Sequence, residues 1–379
     1  MIVLNPDDLA YSKAKIISKD KASLKIFERL CAEADEALLK GPYSVVYKKK
    51  VPPGGDLHDY MSIGPYWWPD TTKPDGLPYI RRDGEVNPER NLYDNVALDK
   101  LDSAVTTLSL AYYFSGNERY AAHTALLIRT WFLNEETRMN PNLKYGQAIR
   151  GIVNGRGIGI IDTRAFFRIA EAIGLINASA HWSEKDQTGM EKWFAKYVNW
   201  LLYSDYGIDE REHKNNHGTW YDILVVSLAM FTGQEETAEA ILSEVPQKRI
   251  AVQIESDGKQ PFELERTRAY HYSMMNLMGL FRLALIAEKN GMDLWSYPPD
   301  NTPLLRRALD YLIPFALKEK AWPYKMIRGW EDDLQTLSVL LRLAAKKYGQ
   351  PEYEKMINKL DDINTNSLEL KLLFPDTSH

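Results

Sequence analysis

The chain of 379 residues contains a single cysteine, Cys31, set in an apolar, helix-like stretch. One thiol excludes an internal disulfide framework and a cysteine-rich zinc site, and its setting marks it for simple burial. An excess of cations is also lacking, because 47 Lys and Arg stand against 52 Asp and Glu, a formal net charge of −5. Nucleic-acid binding needs a basic field over much of one face, so no such partner is expected. An anionic partner would have to meet cations clustered locally. No apolar run approaches the roughly 20 residues that span a bilayer, so a soluble chain without membrane insertion is expected. The opening residues, Met1-Ile2-Val3-Leu4-Asn5-Pro6-Asp7-Asp8, have neither a basic region nor an apolar one of the kind that directs export. A periplasmic or secreted location is expected if a signal has been removed, and a cytoplasmic one if Met1 is the native start.

Strand-like alternation is scarce as well. Apolar residues instead recur at three and four spacing over residues 22–40, 96–115, 118–133, 162–176, 185–204, 216–232, 235–245, 273–290, 303–318 and 335–348, which predicts an all-α chain. Glycines follow several of these segments at a regular interval. Gly116, Gly174, Gly233, Gly291 and Gly349 lie 58, 59, 58 and 58 residues apart. A residue just past a helix end commonly takes the left-handed conformation that glycine adopts at little cost. After three of them the chain restarts alike, at Asn117-Glu118-Arg119, Gln234-Glu235-Glu236 and Gln350-Pro351-Glu352. A unit of this length fits two helices and two connections, so the pattern reads as stacked helical hairpins. The expected architecture is a single α/α-toroid domain, an incomplete barrel of six or seven hairpins over residues 1–379.

The period breaks at residues 41–95, which are rich in Pro, Gly, Asp and aromatics, including Gly64-Pro65-Tyr66-Trp67-Trp68-Pro69-Asp70. A nonhelical stretch of this length is commonly a functional loop, and its aromatic content argues against disorder. It is expected to be a lid, with a structural strap as the alternative. The run Asn154-Gly155-Arg156-Gly157-Ile158-Gly159 is glycine-rich, but no strand is expected before it and it lacks the Lys-Ser/Thr of a phosphate loop.

Two clusters carry chemistry. One is Lys214-Asn215-Asn216-His217-Gly218-Thr219-Trp220-Tyr221, at the predicted start of helix 216–232. The other is Glu263-Leu264-Glu265-Arg266-Thr267-Arg268-Ala269-Tyr270-His271-Tyr272, ahead of helix 273–290. Each has a plain reading, a helix cap beside a surface histidine and a solvated basic turn. His217 and Tyr272 are, however, close to one repeat apart, and equivalent positions of adjacent hairpins lie side by side. Together the clusters offer an amide, an imidazole, guanidinium groups and phenols. These suit β-elimination from a 4-linked uronate, in which donors neutralise the carboxylate, a base removes the C5 proton and an acid protonates the departing O4.

With the Asn215-Asn216-His217 run, Arg266, Tyr272 and the Gly64–Asp70 segment in view, the chain resembles the alginate lyase superfamily of α/α toroids. It is nearest to the polysaccharide lyase family 38 type and more distantly similar to family 5. The resemblance covers roughly residues 45–350. It implies that Tyr272 is the catalytic base and acid, while Asn216, His217 and Arg266 neutralise the carboxylate. For the opposite C5 face, His217 is the base and Tyr272 the acid. The arginine-to-tyrosine spacing is one residue shorter than in family 5, which leaves Arg266 or Arg268 as the carboxylate partner. Four-residue helical spacing would favour Arg268. Asn215, Arg268, Tyr270 and His271 are expected to bind substrate, as are Tyr66, Trp67 and Trp68 through their rings and Arg156 through its charge.

The expected partner is an acidic polysaccharide or oligosaccharide, with no cofactor and no metal. His213 and His217 have helical ligand spacing but lack a third ligand. Two other readings compete. A glycoside hydrolase would use paired carboxylates drawn from Asp222, Glu263, Glu265, Glu331 and Asp332, and a noncatalytic glycan-binding protein would need the same aromatics and cations.

Overall fold

In a computed structural model of the chain, the described residues are 1–299, 302–360, 363, 365 and 367–377; the Asp332 side chain lies outside the description. Helix accounts for 60% of the chain and strand for 4%, which makes it all-α as expected. Every helix predicted from periodicity is present, from Lys21–Ala37 to Glu331–Tyr348. Helices Pro6–Ile17, Asp205–Arg211 and Pro351–Ile357 were not predicted, and the first and last of these begin with proline, whose missing N–H costs nothing in a first turn.

The glycine period survives at four of its five positions. Gly116, Gly233, Gly291 and Gly349 have φ of 71°, 70°, 74° and 62°. Each ends a helix, and three helices restart two residues later, at Glu118, Glu235 and Pro351. Gly174 is different, because it lies inside helix Phe166–Ile176 and stops nothing.

The chain forms two compact units, interleaved in sequence. Unit 1 comprises Met1–Arg29, Lys214–Ile223 and Glu239–His379, and unit 2 comprises Leu30–His213 and Leu224–Ala238. Three of the boundaries fall inside helices, Lys21–Ala37, Asn216–Phe231 and Glu235–Val245.

Unit 2 is organised around aromatic rings. Phe132 meets Trp193 edge to face at 4.8 Å and Phe166 at 5.3 Å, and Tyr197 closes on Phe166 at 5.8 Å. Much of the aromatic content therefore builds core. Residues 41–95 are packed rather than loose. Strand Met61–Ile63 pairs in parallel with Tyr145–Ala148, and Trp67–Trp68 pairs antiparallel with Ile80–Arg81. Ser62 and Tyr60 both donate to Asp162, and buried Lys48 and Asp94 meet at 2.9 Å. The glycine-rich run has a packing cause. A Cβ on Gly159 would lie 2.4 Å from the backbone of Gly146, so the two chain segments approach too closely for any side chain.

In unit 1, helix Ala269–Lys289 lies against the start of helix Asn216–Phe231. A Cβ on Gly279 would lie 2.8 Å from the Thr219 methyl, so glycine sets how near the two backbones come. That approach brings the two chemical clusters into one unit.

Candidate active site

Helix Asn216–Phe231 begins with a local cap. Asn215 accepts the His217 backbone N–H on its side-chain oxygen at 3.1 Å, the arrangement that satisfies one of the unpaired donors of a first turn. Asn216, 1% exposed, turns the other way. Its backbone N–H and its side-chain amide donate to the two oxygens of Glu263 at 2.6 and 2.8 Å. Glu263 is also 1% exposed. Burial pushes its carboxyl above the ordinary range, and the Asn216 donors, Arg266 and His217 pull it back. One buried carboxylate thus joins both clusters.

Arg266 and Arg268 part company here. The guanidinium of Arg266 lies over the Tyr272 ring, 3.7 Å from its centroid. Arg268 is the cap residue of the helix and bridges to Met326; Ala269 donates to the Lys325 carbonyl and Ile327 to that of Thr267. The Tyr272 N–H donates to the Arg268 carbonyl at 3.1 Å, so the helical ladder does reach Arg268. Arg268 is half-buried, and its Nε has no hydrogen-bond partner. The structure thus places Arg266, not Arg268, on Tyr272.

Tyr270 does not fulfil its expected substrate-binding role. Its ring is fully buried, 4.7 Å from Trp330 and 5.1 Å from Trp322, and burial followed by the Asp333 charge drives its phenol far above the ordinary range. His271 is half-buried and its Nδ1 is 2.7 Å from Asp333. Tyr272, 6% exposed, packs edge-on to His271.

A buried amide network lies behind the site. Gln253 donates to the Asn215 carbonyl at 3.2 Å and accepts from Thr219 and Asn276 at 2.9 and 2.8 Å. Asn276 also donates to Gln260, which donates in turn to the Ser273 carbonyl. Asn276 is fully buried, four residues after Tyr272. Buried amides hold position because each lost bond strands a polar group. Sequence reading missed Glu263 as a partner of Asn216, and it missed this network. The available signals were a glutamate three residues before Arg266 and an asparagine interrupting an apolar helix.

Two of the carboxylates considered for hydrolysis are otherwise engaged. Asp222 is held by both Nε and Nη2 of Arg249 at 2.7 and 3.0 Å, and Glu263 by Asn216. Glu265 and Glu331 are exposed, and the Asp332 side chain lies outside the described residues. His213 sits before the helix begins, so its four-residue spacing from His217 is not that of two helix-borne ligands.

In unit 2, Tyr66, Trp67 and Trp68 are all half-exposed. The Arg156 guanidinium lies 5.8 Å from the Trp67 ring and donates to Gln147. Burial and then Arg81 bring its pKa down to about 10.

The family profile for alginate lyases matches residues 44–322. The structure is similar to that of an alginate lyase from Bacteroides ovatus, with a TM-score of 0.95 and 38% identity over 99% of both chains. It also resembles alginate lyase A1-III from Sphingomonas species A1, with a TM-score of 0.55 and 15% identity over 92% of this chain and 90% of that one. A histidine variant of A1-III complexed with a tetrasaccharide matches at a TM-score of 0.55 and 14% identity, over 82% and 80% of the two chains. These two likenesses bear on fold alone. A comparison with curated proteins found no match.

Proposed function

We propose, from the premise that this chain belongs to the alginate lyase family and is a polysaccharide lyase, that it cleaves a 4-linked polyuronate by metal-independent β-elimination, with alginate the first candidate and glucuronan the second. The observation that carries this reading is the Arg266 guanidinium lying on the Tyr272 ring. A cation against a phenol eases loss of its proton. Arg266, His217 and the second amide hydrogen of Asn216 supply positive charge and donors for the uronate carboxylate. Tyr272 removes the C5 proton, the C4–O bond breaks as the C4–C5 double bond forms, and the proton returns to O4 on the departing sugar. For a substrate presenting the opposite C5 face, His217 takes the proton and Tyr272 supplies one to O4.

Glu263 is a positioning residue in this scheme. It fixes Asn216, and with it the first turn that carries His217, and it sets a negative charge near Arg266. Trp67 and Arg156 are sugar-contacting candidates within unit 2, supported by a half-exposed ring with a guanidinium beside it.

The test is incubation with alginate, polymannuronate, polyguluronate and glucuronan while following ultraviolet absorbance of the conjugated unsaturated product. Elimination generates that signal and hydrolysis does not. A rising signal that survives a chelator and is lost in Tyr272→Phe is expected. Silence on all four polymers, or reducing ends without absorbance, would overturn the reading.

A further inference from the structure

Unit 2 holds a cavity of about 620 Å³ beside helix Glu184–Tyr203. Five cations line it: Arg129, Arg138, Lys185, Lys192 and Lys196. In a chain of net charge −5, this is a local inversion of sign. One acid, Asp186, lines it too, but that acid is spent. Arg129 grips both of its oxygens at 2.7 and 2.6 Å, and the same arginine donates to the His181 carbonyl. Four exposed cations remain, and none of them is ion-paired among the described residues. The acids nearest in sequence, Glu135, Glu136, Glu184 and Glu191, do not line the cavity.

The floor is fixed and aromatic. Phe132 and Trp193 meet edge to face, and the Trp193 indole N–H donates to the Met139 carbonyl at 2.8 Å. Lys185, Lys192 and Lys196 stand seven and four residues apart, on one side of the helix. At the rise of an α-helix they are separated by about 10 and about 6 Å along its axis. A row of ammonium groups at that pitch suits charges carried on successive rings of a linked sugar chain.

We propose that this groove is an accessory binding site for a linear acidic polysaccharide, holding polymer through the three lysines and Arg138. The choice of occupant rests on the substrate class argued above. Nucleic acid is the less favoured polyanion, because its denser charge calls for cations across a whole face, and here they are confined to one groove.

The test uses the full chain carrying Tyr272→Phe, so that polymer is not consumed, and measures retardation in gels containing alginate. The triple variant Lys185→Ala/Lys192→Ala/Lys196→Ala is compared with a control that removes three other exposed lysines, Lys21, Lys25 and Lys359, and so changes net charge equally. Three lost surface ion pairs predict roughly tenfold weaker binding of polymer for the groove variant, and little change for the control. Equal retardation of the two would overturn the proposal. So would equal loss of binding to a short DNA duplex, which would make the groove a general polyanion site. Should the unsubstituted protein bind alginate through these lysines yet form no unsaturated product from any of the four polymers, the elimination reading falls and the groove stands.

Discussion

Glu263→Gln isolates what the buried carboxylate does. In the native site both of its oxygens accept from Asn216, at 2.6 and 2.8 Å, and both residues are 1% exposed. A glutamine presents one oxygen and one NH2, so one Asn216 donor loses its acceptor and faces another donor where water does not reach. A hydrogen bond to a charged group contributes about 1.5–3 kcal/mol, and stranding a buried polar group costs about 1–3 kcal/mol. Removing a charge whose burial is unfavourable offsets part of this, and a net loss of about 2 kcal/mol is the expected balance, a fall in Tm of a few degrees. Catalysis is expected to drop further than stability does. Asn216 and His217 share the first turn of one helix, and Arg266 loses a neighbouring negative charge, so kcat on the cleaved polyuronate is expected to fall at least about tenfold with a smaller change in KM. The assays are thermal melting and the absorbance of unsaturated product, combined with Asn216→Ala in a double-mutant cycle. Near-native melting and turnover for Glu263→Gln, or strict additivity of the two substitutions, would refute the argument that these residues act as a unit.

Arg266→Ala is expected to lower kcat/KM by about a hundredfold, as loss of a donor at developing negative charge does, whereas Arg268→Ala stays within a fewfold; the reverse order in steady-state kinetics would return the carboxylate role to Arg268. Gly279→Val pushes branched carbon into a position where even a Cβ lies 2.8 Å from the Thr219 methyl, and a loss of about 1–3 kcal/mol in denaturant unfolding is expected. Asp186, which burial raises but Arg129 and Ser183 bring down to about 2 from an ordinary 3.8, lends stability that is complete above about pH 4 and lost as pH falls toward 2. The stability gap between the native chain and Asp186→Asn is therefore expected to be flat above pH 4 and to close below it; a gap independent of pH would contradict the ion pair.

The helices were legible because their causes are local. A stripe such as Leu98, Leu101, Val105 and Leu108 recurs with the helical turn, and Gly116 stops the helix through a backbone preference of one residue. The same rule failed at Gly174, where the packed interior of Phe166–Ile176 carries the helix through. The candidate site was legible as two clusters of suitable side chains, but not as a geometry. Helical spacing favoured Arg268, yet the guanidinium that lies on the Tyr272 ring is that of Arg266. Tyr270 and Tyr272 are two residues apart in the same run, yet Trp322 and Trp330 bury the first while Arg266 covers the second.

By itself, then, the sequence determined the all-α class, the places where most helices start and stop, and the residue types that elimination chemistry requires. Tertiary structure alone decided which arginine meets Tyr272, that Asn216 is bound to Glu263, and which tyrosine is sealed in the core. The physical reason is range. Backbone preference and side-chain periodicity act over one or two helical turns, whereas the partners of a buried polar group arrive from beyond that range, 16 residues away for Asn276 and Gln260 and 47 for Asn216 and Glu263.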